Sequence, residues 1–352
     1  MVPPTHLKPV HAPDDHPDTP HGRVGVLLIN LGTPDATDYW SMRRYLKEFL
    51  SDRRVIDTNP LLWWPLLNGI ILTTRPGRSG ANYDKIWNKE RDESPLRTVT
   101  RNQAEGLAAR LGANADGTGP VVVDWAMRYG TPAISDRLEK LQQAGAERIL
   151  VAPLYPQYSA TSTATALDKV YETLIAMRWQ PAIRTLPPFY DHPAHIEALK
   201  SSVIEHLGTL DWEPEMMLSS FHGLPKRYLT EGDPYYCHAM KTGRLLRDAI
   251  GYDEENFQVV FQSRFGREEW LQPYIEPTVA QLGQGGVKRL AVVMPGFVAD
   301  CLETLEEIAI GIGQTFRANG GEKFTAIPCL NDTGAGLTML EKLVRQELAG
   351  WV

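Results

Sequence analysis

VLLINLGTP at residues 26–34 and MLSSFHGLP at residues 217–225 are two versions of one pattern. Each is an apolar run, typical of a buried strand, that ends in a Gly-x-Pro turn. The match places Leu31 opposite His222 in the other half of the chain. The pattern therefore predicts one strand and one turn that occur twice.

Two further pairs of stretches follow in the same order, which strengthens the case for an internal repeat. VVVDWAMRYG (121–130) is similar to FQVVFQSRFG (257–266), and ERILVAP (147–153) is similar to RLAVVMP (289–295). The first of these pairs places Arg128 opposite Arg264. Three matches in one order indicate two halves with the same arrangement of strands.

Apolar, β-rich runs alternate with longer helix-like stretches from Arg23 onward, which predicts an α/β fold. The expected strands are Val24–Leu31, Val121–Tyr129, Arg148–Leu154, Pro181–Leu186, Glu215–Phe221, Phe257–Ser263, Lys288–Met294 and Lys323–Pro328. We expect two similar Rossmann-like lobes, each a four-stranded parallel sheet flanked by helices. Ligands of such sheets bind beyond the carboxyl ends of the strands, which here means a cleft between the lobes.

The expected domains are lobe 1 at 23–180, lobe 2 at 181–332 and a closing helix at 333–352. Residues 1–22 are rich in proline and histidine and are expected to form a disordered tail. Its evenly spaced histidines allow a metal-delivery interpretation, but a flexible tail has no fixed geometry for ligands. The tail lacks an apolar segment after a basic start, so it does not resemble a secretory signal.

Lobe 1 carries about 55 residues more than lobe 2 between its first two matched stretches. This insertion, at about 40–95, contains LLWWPLLNGIIL at 61–72, which is too short to cross a membrane. A buried helix is one interpretation. The paired tryptophans and the basic flanks favour the other, an exposed apolar lip that touches a membrane or a large flat ligand. The sequence therefore predicts a cytoplasmic protein with peripheral contact to the inner face of the membrane.

Charge and cysteine content exclude several classes of function. The formal net charge of −7 argues against nucleic acid as a partner. The three cysteines, Cys237, Cys301 and Cys329, are too few and too scattered for a disulfide framework or an all-cysteine metal centre. Neither GxGxxG nor GxxxxGK[ST] occurs, so nucleotide binding is not indicated.

His222 is the clearest candidate for chemistry, because it stands at the predicted end of a strand where cleft residues lie. A neutral imidazole there could ligate a divalent metal or accept a proton. Asp300, Glu303 and Glu307 form the second candidate, since α-helical spacing places them on one face. Such an acidic row is either a solvated helix face or a path for protons or a hard cation.

Features of lobe 1 suggest an anionic, planar ligand. Arg128 and Tyr129 end a predicted strand. Arg75, Tyr83 and Ser94 lie in or beside the insertion. Arginine forks suit carboxylates, and aromatic and aliphatic side chains suit a planar apolar body.

Together these motifs resemble the ferrochelatase family from about Val24 to the end of the chain. The most specific stretches are VLLINLGTPD, YPQYSATST (155–163), SFHGLPKRYLTEGDPY (220–235), FQSRFGREEWLQP (261–273) and DCLETLEEI (300–308). The resemblance implies a class II chelatase fold with a porphyrin cleft between its lobes. It also implies an enzyme of haem biosynthesis that inserts Fe²⁺ into protoporphyrin IX and releases two protons.

The resemblance assigns roles to individual residues. It implies that His222 and Glu303 are the catalytic pair and the metal contacts, and that Asp300 and Glu307 continue a proton or metal path. Leu31, Arg128 and Tyr129 match residues on the opposite side of the cleft. Arg75, Tyr83 and Ser94 match residues near the porphyrin propionates. The family also has a π-helical turn near Glu303.

The sequence departs from the family pattern at its cysteines. Cys301 stands where many members have histidine. Some members carry a 2Fe–2S cluster on four cysteines, including a C-terminal group; with three cysteines, this chain is expected to have no cluster and no other cofactor. Alternative interpretations are a coproporphyrin-specific ferrochelatase, a cobalt or nickel chelatase, and a non-catalytic porphyrin or haem carrier.

Overall fold

All eight predicted strands are present in a computed structural model, which describes residue 15 and residues 22–112, 119–266 and 268–352. Apart from residues 15 and 22, the predicted tail lies outside the described residues. The strands are β1 Arg23–Gly32, β2 Val121–Tyr129, β3 Ala146–Pro153, β4 Ala182–Thr185, β5 Met216–His222, β6 Phe257–Gln262, β7 Arg289–Val293 and β8 Lys323–Ala326. Most form because their β-branched and aliphatic side chains are buried on both faces of a parallel sheet.

Helices connect the strands, as an α/β fold requires. The α-helices are α1 Tyr39–Ser51, α2 Pro60–Leu66, α3 Leu72–Ile86, α4 Pro95–Arg110, α5 Ile134–Gln143, α6 Thr165–Ala176, α7 Pro193–Gly208, α8 Lys226–Thr230, α9 Tyr235–Ile250, α10 Ile275–Gln284, α11 Gly313–Ala318 and α12 Gly334–Leu348. Three π-helical segments, Leu67–Ile71, Ala160–Ala164 and Glu303–Ile312, each run directly into the α-helix that follows. One 3₁₀ turn spans Glu254–Asn256.

The two lobes have the same topology, which confirms the repeat. The first sheet has the order β2-β1-β3-β4 and the second has the order β6-β5-β7-β8, with every pairing parallel. The carboxyl ends of β1, β2 and β3 therefore lie at one edge of the first sheet, as do those of β5, β6 and β7 in the second. These two edges carry the predicted site residues.

The register of the ladder corrects one of the predicted equivalences. His222 pairs with Gln262, whereas its counterpart Leu31 lies between two pairs, Asn30 with Met127 and Gly32 with Tyr129, and so faces Arg128. The ladder counterpart of Arg128 is therefore Gln262, not Arg264. The sequence match was two residues out because apolar runs align equally well at neighbouring offsets.

Each sheet packs against two apolar cores. One core lies within its own lobe, and the other is shared between the two lobes. α5 and α6 cover the outer face of the first sheet, and α10, α11 and the third π-helical segment cover the outer face of the second. A further apolar cluster draws residues from both sheets and from α4, α7, α9 and α12. The closing helix α12, capped by Thr333, contacts both α4 and α7. The lobes are therefore joined through a common core.

Candidate active site

His222 is the last residue of β5, and its side chain is half-buried at the carboxyl edge of the second sheet. Its Nδ1 atom lies 2.6 Å from the carbonyl oxygen of Gly223. Because a carbonyl can only accept, Nδ1 carries the proton in this contact and the lone pair is on Nε2. The turn after β5 therefore orients the imidazole with Nε2 as its acceptor atom.

Glu303 and Glu307 lie on the π-helical segment Glu303–Ile312, where the resemblance implied a π-helical turn. The Glu307 carboxylate accepts two hydrogen bonds from Ser263, one from its backbone N–H at 2.7 Å and one from its hydroxyl at 2.5 Å. Burial raises the pKa of Glu307, and the Ser263 hydrogen bonds and the nearby His222 offset that rise only in part. Glu307 therefore holds a proton more readily than an exposed glutamate does.

Glu303 faces hydroxyl groups of lobe 1. Burial raises the pKa of Tyr83, and the adjacent charge of Glu303 raises it further. The same carboxylate adds to the raised pKa of Tyr45, after burial and the neighbouring Tyr83. The backbone carbonyl of Glu303 accepts a hydrogen bond from Gln262 at 3.0 Å. Glu303 thus bridges the strand ends of lobe 2 and the insertion of lobe 1.

The prediction of a single acidic helix face is wrong for Asp300. Asp300 precedes the helix, so α-helical spacing does not apply to it. Its carboxylate accepts hydrogen bonds from the Thr304 hydroxyl at 2.9 Å and from the Asn331 side chain at 2.7 Å. A third, at 3.3 Å, comes from the backbone N–H of Cys329. The carboxylate of Asp300 therefore ties the start of the π-helical segment to the chain that follows β8.

The strand end of lobe 1 carries a compact ion-pair network. Arg128 contacts the carboxylate of Asp52, and the hydroxyl of Tyr129 donates to the same carboxylate at 2.8 Å. Arg128 also donates to the hydroxyl of Thr165 at 2.7 Å, and its guanidinium lies 4.4 Å from the centroid of the Tyr129 ring. Burial would raise the pKa of Asp52, but hydrogen bonds from Thr165, Arg54 and Tyr129 and the charge of Arg128 outweigh it and lower the pKa. Asp52 therefore stays ionised and holds Arg128 in place.

The remaining predicted residues of lobe 1 occupy different depths. Leu31 is half-buried and packs against an apolar cluster that contains the buried side chains of Tyr83 and Tyr129. Arg75 is exposed on α3, and its guanidinium lies 5.3 Å from the ring centroid of Phe265 in lobe 2. Ser94 is buried, and its hydroxyl caps α4 by accepting from the backbone N–H of Arg97 at 3.2 Å. Only Arg75 of the three predicted propionate residues is thus exposed.

Sequence reasoning missed Gln262, Ser263 and Asp52, all of which contact predicted site residues. The hydroxyl of Ser220 donates to the side-chain oxygen of Gln262 at 2.7 Å, which leaves the Gln262 amide to reach Glu303. Ser263 has a φ of 64°, an uncommon backbone conformation for a residue other than glycine. The quoted FQSRFG motif contained Gln262 and Ser263, but nothing in the sequence near Asp52 indicates its partners.

The lip predicted at 61–72 is largely exposed. Leu61 and Leu62 are 83% and 71% exposed, and no residue of α2 is buried. Trp63 is held by a 2.8 Å hydrogen bond from its indole N–H to the carbonyl oxygen of Leu50. Within the described residues, no helix combines the length and apolar character that a membrane span needs.

The same part of the chain contains no group of three or more histidine, cysteine, aspartate or glutamate side chains arranged to hold a metal ion. Cys301 and Cys329 are buried, and burial raises the pKa of both thiols well above the ordinary range. Both are therefore protonated near neutral pH, which makes them poor metal ligands.

Comparisons with known proteins identify the family of the chain. Residues 23–348 match the ferrochelatase family model. The ferrochelatase of Rhizobium etli is 61% identical over 340 residues, which cover 97% of this chain and 98% of that protein. The ferrochelatase of Mesorhizobium japonicum is 54% identical over 351 residues, which cover 100% and 98%. Among solved structures, SirB from Bacillus subtilis with Fe3+ has a TM-score of 0.55 at 12% identity, covering 92% of this chain and 95% of that one, which supports the fold alone. The chain belongs to the ferrochelatase family, whose members are lyases that insert a metal ion into a porphyrin.

Proposed function

We propose that this chain inserts Fe²⁺ into protoporphyrin IX, giving protohaem and two protons, between the strand ends of its two lobes. One observation carries the proposal: His222, with Nε2 as its acceptor atom, lies close enough to the half-buried Glu307 to affect its pKa. Glu307 stands on the same π-helical segment as Glu303. These groups can accept protons while a cation approaches. A porphyrin or haem carrier has no need of them.

The proposed reaction must also remove two protons from the porphyrin. Two pyrrole N–H bonds of the porphyrin break as bonds form between the iron and the pyrrole nitrogens, and both protons must leave the site. Nε2 of His222 accepts a proton from the macrocycle. Glu303 and Glu307 then carry protons outward, because burial raises the pKa of Glu307 and makes protonation easier there. Before insertion, the same carboxylates attract the incoming Fe²⁺.

Lobe 1 supplies a firm opposing wall. Leu31 and Arg128 hold one face of the macrocycle, with the buried Tyr129 supporting them from behind, while His222 approaches the other face. A planar porphyrin keeps its nitrogen lone pairs in the ring plane, so a buckled ring exposes them to the metal. Binding energy from the rest of this large ligand can support that distortion, provided that the wall does not yield. The Asp52 network makes the wall rigid.

The other predicted residues take roles that match their depth. Arg75 binds a propionate as an exposed cation at the edge of the site. Tyr83 shapes the wall next to Glu303. Ser94 fixes the start of α4 through its cap. Asp300 fixes the start of the π-helical segment, so that Glu303 and Glu307 keep their places.

The His222→Ala variant tests the chemistry. We expect the Kd for porphyrin, measured by fluorescence quenching, to stay within about threefold of the unmodified protein. In contrast, kcat for Fe²⁺ insertion should fall by about 100- to 10,000-fold, which is the contribution of a general base. His192→Asn, which keeps a cap for α7, is the control and should retain full activity. Normal insertion by His222→Ala would disprove the proposed mechanism.

The substrate is tested by anaerobic Fe²⁺ insertion into protoporphyrin IX and coproporphyrin, followed by absorbance. We expect a higher kcat/KM with protoporphyrin IX. A higher value with coproporphyrin contradicts that choice of substrate. Insertion of Co²⁺ into sirohydrochlorin at a higher kcat/KM contradicts the choice of reaction, and no turnover with any pair indicates a carrier.

The exposed lip extends the proposal to the inner face of the cytoplasmic membrane. Leu61 and Leu62 present apolar surface, and Arg53, Arg54, Arg75 and Arg78 flank the segment, which suits anionic headgroups. We expect the Leu61→Ser/Leu62→Ser variant to lose most of its co-sedimentation with phosphatidylglycerol vesicles. Its kcat with porphyrin in solution should change by less than about twofold. Unchanged sedimentation contradicts this membrane contact.

A further inference from the structure

The loop that follows β3 in lobe 1 is hydrogen-bonded along one helix of lobe 2. The side chain of Gln157 donates to the hydroxyl of Thr242 at 3.0 Å, and the backbone N–H of Tyr158 donates to Nδ1 of His238 at 3.2 Å. The next two residues both donate to the carboxylate of Asp233. Four consecutive residues of lobe 1 therefore dock on α9 and on the turn that precedes it.

Asp233 makes the most informative of these contacts. One oxygen of its carboxylate accepts from the backbone N–H of Ala160 at 2.8 Å and from the hydroxyl of Ser159 at 3.1 Å. The other oxygen accepts from the backbone N–H of Tyr235 at 3.0 Å. Ala160 is the first residue of the π-helical segment that continues into α6. A carboxylate of lobe 2 therefore caps a helix of lobe 1.

Both walls of the proposed porphyrin site attach to this cap. On the lobe 1 side, the capped segment leads directly to Thr165, which holds Arg128 and Asp52. On the lobe 2 side, Tyr235 packs with Phe221, and its phenolic oxygen lies against the backbone of His222. One chain of contacts from Arg128 to His222 therefore passes through the carboxylate of Asp233.

The docking of the loop is firm, because its other contacts are also specific. His238 stacks on Tyr190, with ring centroids 3.7 Å apart and an interplanar angle of 9°. Burial lowers the pKa of His238, so its Nδ1 remains unprotonated and can accept the N–H of Tyr158. Gln157 and Thr242 are buried. A charged acceptor in such a network makes hydrogen bonds stronger than those between neutral groups.

We propose that Asp233 is a positioning residue for metal insertion: by capping the helix that begins at Ala160, it fixes the separation between His222 and the Arg128–Tyr129 wall. The inference rests on the proposed function, because it assumes that the porphyrin is held between these two walls. Asp233 does not touch the substrate. It acts by keeping the two lobes at the spacing that buckles the macrocycle.

The test compares Asp233→Ala with Asp233→Asn, which keeps the shape and one acceptor oxygen. We expect kcat per folded molecule to fall by about tenfold in Asp233→Ala, since displacement of a reacting group by about 1 Å can cost up to 100-fold. Asp233→Asn should lower kcat by only about threefold, which is half of the tenfold loss on a logarithmic scale. Asp248→Asn, on the exposed surface of the same helix, is the control and should leave kcat unchanged.

Resonance Raman spectra of bound porphyrin, recorded without iron, distinguish positioning from simple stabilisation. We expect the out-of-plane bands of the macrocycle to weaken in Asp233→Ala and to persist in Asp248→Asn. Ser159→Ala removes one donor to Asp233 and also the hydroxyl that accepts from the backbone N–H of Thr161 at 3.2 Å. Its loss of kcat should add less than fully to that of Asp233→Ala, because the two variants share the contact between Ser159 and Asp233.

A lower melting temperature with unchanged kcat and unchanged out-of-plane bands would overturn the inference. The spectra do not depend on proton transfer. They therefore test the positioning role of Asp233 even if His222 is not the proton acceptor. Conversely, loss of insertion in His222→Ala together with normal Asp233 variants rejects the positioning role alone.

Discussion

The carboxyl ends of β1 and β2 and those of β5 and β6 occupy equivalent places in one repeated topology, yet their electrostatics differ. In lobe 1, Arg128 is paired with Asp52, whose pKa is lowered, so the charges cancel within a closed network. In lobe 2, Glu307 is half-buried near His222, and its pKa is raised. One scaffold thus provides a fixed wall at one edge and titratable groups at the other.

Replacement of the carboxylate in lobe 2 should give the largest effect. We expect Glu303→Gln to lower kcat for Fe²⁺ insertion by about 1,000-fold, within the range for proton-transfer groups, with little change in stability. Glu306→Gln is the matched control, because Glu306 lies on the same segment but pairs with Lys85 at 2.7 Å. Initial rates under anaerobic conditions measure both. A loss of similar size in the two variants contradicts a specific role for Glu303.

Replacement of the carboxylate in lobe 1 should act on stability instead. Asp52→Ala leaves the Arg128 guanidinium buried without its partner, and we expect a loss of about 3 kcal/mol in the free energy of unfolding. Asp168→Ala breaks an exposed pair, with Arg54 47% and Asp168 43% exposed, and should cost less than about 1 kcal/mol. Urea denaturation of both variants is the measurement. Equal losses of unfolding free energy in the two variants would show that the Asp52 network does not stabilise lobe 1 more than an exposed ion pair does.

The smallest effect should be a change in pH dependence. The Ser263 hydroxyl favours the charged form of Glu307, so Ser263→Ala should raise the pKa of Glu307 further. Glu307 accepts protons only when ionised, and activity is lost as the pH falls through its pKa. The acidic limb of the kcat/KM profile should therefore move to higher pH, with the maximum rate nearly unchanged. No movement, or movement to lower pH, contradicts the proton path through Glu307.

The strands could be predicted from sequence because each is a short apolar run bounded by turn residues, and the internal repeat supported six of the eight runs. His222 and the acidic pair followed from their places after strands. Asp300 was misplaced because the prediction assumed an α-helix from residue 300, whereas the helix begins after it and is π-helical. The spacing of side chains along the sequence does not show where the non-helical stretch ends and the helix begins.

Contacts between distant residues lay beyond sequence reasoning for a different reason. Asp52 meets Thr165 across 113 positions, and Asp233 meets Ala160 across 73. The sequence around each aspartate does not indicate its partner. One partner is a hydroxyl and the other is a backbone N–H, and such groups occur throughout any sequence. Such pairings are set by how the lobes pack, and they became visible only in three dimensions.

The core shared by the two sheets, α7 and α12 has a consequence for protein engineering. A chain cut between β4 and α7 would yield two fragments, each with a complete four-stranded sheet and an uncovered apolar face that the other fits. We expect such fragments to recover activity when they are co-expressed and to aggregate when they are made singly. The molecule therefore behaves as two covalently linked halves, whose apolar surfaces are complementary and can reassemble.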